Sequence, residues 1–143
     1  MPTPRPQRAL HRHDPRAGVA AVEFALVAPF LILLFLAVAV YGGWYWLAHS
    51  VQALAAEAAR AAVAGLDPLE RETLARAEIA AQAPGMTGLA AERLSADVDE
   101  TAERLTVTVR LDLTEHPLTA LAGPLPRPPE ILVRSAVVRV GGY

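Results

Sequence analysis

Hydrophobic and polar positions change their pattern twice along this chain. Residues 1–17 (MPTPRPQRALHRHDPRA) carry four prolines and no apolar periodicity, which predicts a disordered segment. From Gly18 the text turns abruptly apolar, and between Glu23 and Glu57 there is no Asp, Glu, Lys or Arg, although both flanks are regularly charged. About 20 apolar residues at about 1.5 Å each span the hydrocarbon of a bilayer. The run predicts a transmembrane helix over residues 19–49. Pro29 should remove one helical hydrogen bond and kink it mildly, and Gly42-Gly43 should loosen it. Trp44, Tyr45 and Trp46 are amphipathic aromatics that favour the headgroup level at its far end.

The segment SVQALAAEAARAAVAG continues as helix. Val51, Leu54, Ala55, Ala58 and Ala62 share one face, Gln52, Glu57 and Arg60 lie elsewhere, and Gly65 is the expected stop. Glu57 and Arg60, three apart, form a surface pair. Asp67-Pro68-Leu69-Glu70 then supplies a capping Asp, Pro at the first helical position and a Glu in the first turn, so a second helix should run to about Ala83, where Pro84-Gly85 ends it.

Beyond it the period becomes two. Leu105, Val107, Val109, Leu111 and Leu113 alternate with Thr106, Thr108, Arg110 and Asp112, a half-buried strand. Leu94, Ala96 and Val98 alternate just upstream, which predicts a hairpin across Glu100 to Glu103. Ile131 to Val140 is a third strand, less cleanly alternating. The Pro-rich connection from Pro117 to Pro129 leaves room for a helical turn at Leu118 to Ala122. Three strands cannot bury two faces, so helices must cover one of them. The expected fold class is α+β: an N-terminal transmembrane helix continuing outside the membrane, a second helix, then a small three-stranded antiparallel sheet. The domains expected are a basic leader at 1–18, the membrane helix at 19–49 and an extracytoplasmic domain at 50–143.

Charge gives this plan a direction. The 143 residues sum to −2, yet the leader sets Arg5, Arg8, Arg12 and Arg16 against Asp14 alone. A basic start before an apolar run stays in the cytoplasm and sends the remainder across. The leader has no aromatics and no helical pattern, so no nucleic acid is expected as a partner. There is no cysteine. His11 and His13 lie in the leader while His49 and His116 stand alone, so no metal is expected. Alternation puts Asp97 and Asp99 on the solvated face of their strand, with Glu100 beside them. Without a nucleophile–base pair or a phosphate loop, neither a catalytic residue nor a cofactor is expected.

The remaining chemistry is concentrated in Arg16-Ala17-Gly18-Val19-Ala20-Ala21-Val22-Glu23-Phe24. A basic leader ends in glycine, and a glutamate stands fifth after it, already inside the apolar run. This resembles the prepilin cleavage signal in which a peptidase cuts after Gly and keeps the Glu at mature position five. The continuation AVEFALVAPFLILLF resembles the TadE-like pseudopilins of tight-adherence (Flp) pilus systems, whose layout of leader, single apolar helix and small outer domain extends over nearly the whole chain. The resemblance implies Gly18, Val19, Glu23 and Phe24 as the processing and assembly residues. It also implies a minor pseudopilin in the bacterial inner membrane, with prepilin peptidase, other Tad pilins and the assembly platform as partners. Major pilins of this type often have Tyr at the place of Phe24 and are much shorter, which favours a minor subunit.

The signal has a physical logic. A carboxylate within the membrane part of a helix is costly, so Glu23 needs a cation. Cutting Gly18–Val19 would create an ammonium on Val19 at the positive end of the helix dipole, where a carboxylate one turn on offsets it. Gly18 lets a protease approach the backbone. The competing reading is an unprocessed single-pass membrane-anchored periplasmic binding module. A conventional secretory signal is disfavoured because the apolar run exceeds an ordinary signal core.

Overall fold

In a computed structural model the backbone is described over residues 15–140 and the side chains from Gly18 onward. The first element, α1, spans Pro15–Ala62, 48 residues without a break. It begins inside the segment expected to be disordered: Pro15, Arg16 and Ala17 are helical. Proline explains the early start, because its fixed φ suits the first turn and its missing N–H is one the helix does not use there. Residues 1–14, the rest of that expectation, lie outside the described residues.

The compact units divide at Phe35/Leu36. In the first, the apolar side chains of α1 have no protein against them: Val19, Phe24, Leu26, Phe30 and Phe35 are all exposed. In the second, residues 36–143, α1 becomes the centre of a core. Val40 is the first fully buried residue, followed by Leu47, Ala48, Val51, Leu54, Ala55, Ala58, Ala59 and Ala62. The expected apolar face of residues 51–62 is therefore the buried one. Its alanines let the helix backbone come close to the sheet, where larger side chains would hold it off.

The second helix, α2 (Pro68–Gln82), starts as expected, with the Asp67 carboxylate accepting from the Glu70 N–H at 2.8 Å. The return bond differs from a standard capping box. Glu70 Oε2 accepts from the N–H of Leu66, one residue before the cap, at 2.7 Å. Ala83–Gly85 form a single 3₁₀ turn that ends it. The helix ends at Ala62, and Gly65, the expected stop, lies in the turn that follows. A Cβ there would stand 2.7 Å from both Cγ and the backbone N of Arg71. Arg71 itself donates to the Gly65 carbonyl at 3.0 Å and pairs with Glu100, tying this turn to the sheet.

The sheet has strand order β1-β2-β3, all antiparallel, with β1 at Leu94–Glu100, β2 at Arg104–Asp112 and β3 at Ile131–Arg139. The hairpin turns at residues 101–103, closed by the Thr101 N–H donating to Arg104 O at 2.8 Å. Leu105, Val107, Val109, Leu111 and Leu132 face α1 and α2 in one core. Burying each fully contributes about 1.5–3 kcal/mol. The outer face is polar on β1 and β2, where Ser95 pairs with Arg110, Asp97 with Thr108 and Asp99 with Thr106. On β3 it mixes exposed Ile131, Val133 and Val137 with Ser135 and Arg139, and Arg134 lies on the inner face; this is why β3 alternates poorly in sequence.

The connection after β2 carries α3, Pro117–Leu121, where a helical turn was expected. His116 caps it: Nδ1 accepts from the Leu118 N–H at 3.2 Å. Burial, with Arg93 adding to it, pushes the His116 pKa below its ordinary 6.5. A folded pKa below the unfolded one gives stability that is complete above the unfolded value and is lost as pH falls through that value toward the folded one. Two outcomes follow for the full chain in detergent micelles. Gly65→Ala should lower unfolding free energy by about 1–3 kcal/mol through overpacking against Arg71, read by denaturant titration. Lowering the pH from about 7.5 to about 5 should destabilise the protein through His116, and His116→Asn, an uncharged cap, should flatten that dependence. Asp112, held below its ordinary 3.8 by hydrogen bonds from Thr114, loses its contribution only at lower pH.

Candidate functional site

Gly18, Val19, Glu23 and Phe24 all lie on α1, within its first three turns. Each is exposed, and a Cβ on Gly18 would meet nothing within 4 Å. Val19 and Glu23 are four apart, so they stack on one helix face about 6 Å apart along the axis. The neighbours of Glu23 on that face, Ala20, Leu26 and Val27, are apolar. Among the described residues no ion pair reaches Glu23. Phe24 points off this face. The four residues thus share one helix end, with the carboxylate one turn from the Val19 nitrogen and no cation beside it.

The exposed stretch that carries them is long and apolar enough to cross a membrane. Val19 to Ala39 is 21 residues by position, or about 31 Å of helix, close to the thickness of a hydrocarbon core. Such a length suits an apolar medium, in which a lone carboxylate would be expensive and a nearby ammonium strongly attracted.

At the other end of the exposed stretch lie residues whose roles spacing did not reveal. The Tyr41 hydroxyl donates to the Pro126 carbonyl at 2.7 Å, and Trp44 Nε1 donates to the Pro129 carbonyl at 3.2 Å. The guanidinium of Arg134 lies 6.0 Å from the centre of the Trp44 ring, and Tyr45 meets that ring edge-on at 5.4 Å. Of the three aromatics expected at the headgroup level, Trp44 packs against the core, while Tyr45 and Trp46 stay exposed. Gly42-Gly43 does not interrupt the helix. Leu118 packs over Gly43 instead, and a Cβ there would sit 2.8 Å from its Cδ2, at the end of the side chain. One signal could have found these contacts. A proline-rich run offers carbonyls but few N–H groups of its own, so it must take donors from elsewhere.

The chemistry of the folded unit beyond Leu36 is sparse among the described residues. A groove of about 450 Å³ between α2 and β1 is lined by Ile79, Ala83, Leu94 and Ala96, with Arg76 at its side. Arg76 is already paired with Glu72 at 2.5 Å. His49 is exposed, and His116 is occupied as a cap. No group of metal-ligating residues occurs among the described residues. Asp97, Asp99 and Glu100 lie at or beside the β1 edge, with Glu100 engaged by Arg71.

No curated protein and no solved structure matches the chain. A family model does: the one described as TadE-like protein matches residues 18–60. That segment opens at Gly18, includes Val19, Glu23 and Phe24, and ends near the close of α1. Over residues 18–60, the helix that carries the candidate site, the chain is similar to TadE-like proteins.

Proposed function

We propose that the chain is a minor pseudopilin of a Tad (Flp) pilus system, anchored in the bacterial inner membrane by α1 and trimmed by prepilin peptidase after Gly18. The observation that carries this reading is Glu23: an exposed carboxylate without an ion-pair partner among the described residues, near the start of an apolar helix, inside the segment that matches the TadE-like family. The four leader arginines keep the N-terminus in the cytoplasm, and the folded domain lies on the opposite side. The role is structural, with other Tad pilins and the assembly platform as partners.

The proposed steps follow from the chain's own geometry. The Gly18–Val19 bond lies within the first turns of α1, and a protease requires that bond in extended form. Opening is easiest near a helix end, and glycine lowers its cost by about 1 kcal/mol relative to alanine. Hydrolysis leaves an ammonium on Val19. Glu23, one turn away, neutralises it within the subunit. When subunits pack helix to helix, the same carboxylate accepts from the amine of a neighbour and sets the axial register. Phe24 stands beside it as a large apolar contact in that packing.

Two outcomes test this reading. Mature protein extracted from membranes should begin at Val19 by N-terminal sequencing when the peptidase is active, and at Met1 when it is deleted. A chain that still begins at Met1 beside normally trimmed pilins would instead identify an unprocessed anchored binding module. Glu23→Ala should insert at the wild-type level yet reduce pilus assembly by about tenfold or more, because a charge-assisted bond is worth about 1.5–3 kcal/mol. Unchanged pilus yield on quantitative immunoblotting of sheared filaments would remove Glu23 from that role.

A further inference from the structure

The geometry points to a second membrane contact: residues 118–129 form a collar that rests on the phospholipid headgroup layer where α1 leaves the bilayer. This rests on the reading of α1 as a membrane anchor.

Three ties bind the collar to a single turn of α1. Leu118 packs on Gly43, the Pro126 carbonyl accepts from Tyr41, and the Pro129 carbonyl accepts from Trp44. This turn immediately follows Val40, the first fully buried residue of α1. If the hydrocarbon begins near Val19, about 30 Å of helix ends at Ala39. The turn from Val40 to Trp44 then falls at the headgroup level, and the collar is held at the same depth.

The exposed chemistry of the collar suits that depth. Leu121 is 48% exposed, and Pro124, Pro126 and Pro129 are exposed. Arg127 is exposed as well, and no acid occurs from Pro117 to Pro129, the nearest being Glu115 and Glu130 on either side. Apolar side chains around a cation without acids match a layer of phosphates above acyl chains. Arg134, beside the Trp44 ring, adds a second cation next to the same turn. The prolines contribute too, since they bring no N–H groups that would need satisfying near the apolar boundary. The occupant is therefore a lipid surface, which continues directly from the medium around residues 19–39.

The absence of cysteine makes the test direct. Full-length Leu121→Cys, Arg127→Cys, Phe30→Cys and Leu66→Cys would each carry a nitroxide in vesicles of phosphatidylethanolamine and phosphatidylglycerol. Collision with oxygen and with a water-soluble nickel chelate then reports depth. Leu66, 90% exposed in the turn between the helices, serves as the aqueous reference and Phe30 as the hydrocarbon reference. Expected are oxygen-to-nickel ratios at positions 121 and 127 several-fold above that at position 66 and below that at position 30. The collar contact is overturned if positions 121 and 127 match position 66 while position 30 reads hydrocarbon. It is equally overturned if both are shielded from both reagents, the mark of a protein neighbour. An aqueous reading at position 30 would overturn the membrane anchor itself and the collar with it. Should Leu121→Cys fail to fold, Arg127→Cys, at an exposed position, decides alone.

Discussion

One helix has to serve two surroundings. From Val19 to Phe35 the large apolar side chains of α1 are exposed among the described residues, and from Val40 its side chains are the centre of a folded core. The amino acids differ accordingly. The exposed part is rich in Phe, Leu, Ile and Val, which fill a fluid apolar medium whatever their shape. The buried part is rich in alanine, because a rigid sheet can approach only a thin helix. The helix continues through both, and apart from the one bond that Pro29 cannot donate, its backbone is satisfied internally, as an apolar medium would require. The change falls between Leu36 and Trp44, where half-buried residues appear and where Tyr41 and Trp44 donate to the proline-rich connection.

This constraint makes Glu23 informative. In a soluble helix an exposed glutamate has water as its partner and needs no explanation. On a helix whose exposed face is apolar on every side, the same carboxylate has no ion-pair partner among the described residues. Such a group is retained only where something supplies the missing charge. Under the function proposed above, an amine generated one turn away, or contributed by a neighbouring helix, meets that need at small distance, while the helix dipole itself favours the carboxylate and not the amine. The family match over residues 18–60 runs across both surroundings, covering the helix with its site and leaving the sheet outside.

Much of the fold could be read from periodicity because each element buries one face. Alternation over Leu105–Leu113 placed β2 on the sheet, and Asp67-Pro68 marked the start of α2, because caps and strand faces are local chemistry. Gly18, Val19, Glu23 and Phe24 were legible for the same reason: spacing along a helix is fixed, and a charge in an apolar run stands out. Contacts between distant segments were not. Tyr41 and Trp44 each reach carbonyls 85 residues away, and Arg71 bridges the helical turn to Glu100; no short-range pattern encodes such pairs. Gly65 was read only as a stop, whereas the Arg71 backbone packed over it leaves no room for a Cβ, and Gly43, read as a loosening, lies within the unbroken helix beneath Leu118. The start of α1 at Pro15 was missed because proline-rich composition outweighed the single proline able to begin a helix.

The sheet bears on assembly by what its edges withhold. A three-stranded sheet has two free edges, each a template for another strand. On β3 the carbonyls of Val133 and Ser135, two apart and hence on the same side of the strand, accept from the Arg134 and Gln52 side chains at 2.7 and 3.1 Å. These are acceptors an added strand would need. On β1, Asp97, Asp99 and Glu100 place charge along the other edge, and like charges brought opposite one another in a paired strand oppose addition. Blunting both edges leaves the apolar length of α1 as the surface with most to gain from a neighbour. A subunit of this build, under the function proposed above, therefore associates through its helix, where the position of Glu23 can set the register, while the domain keeps strand pairing from competing with it.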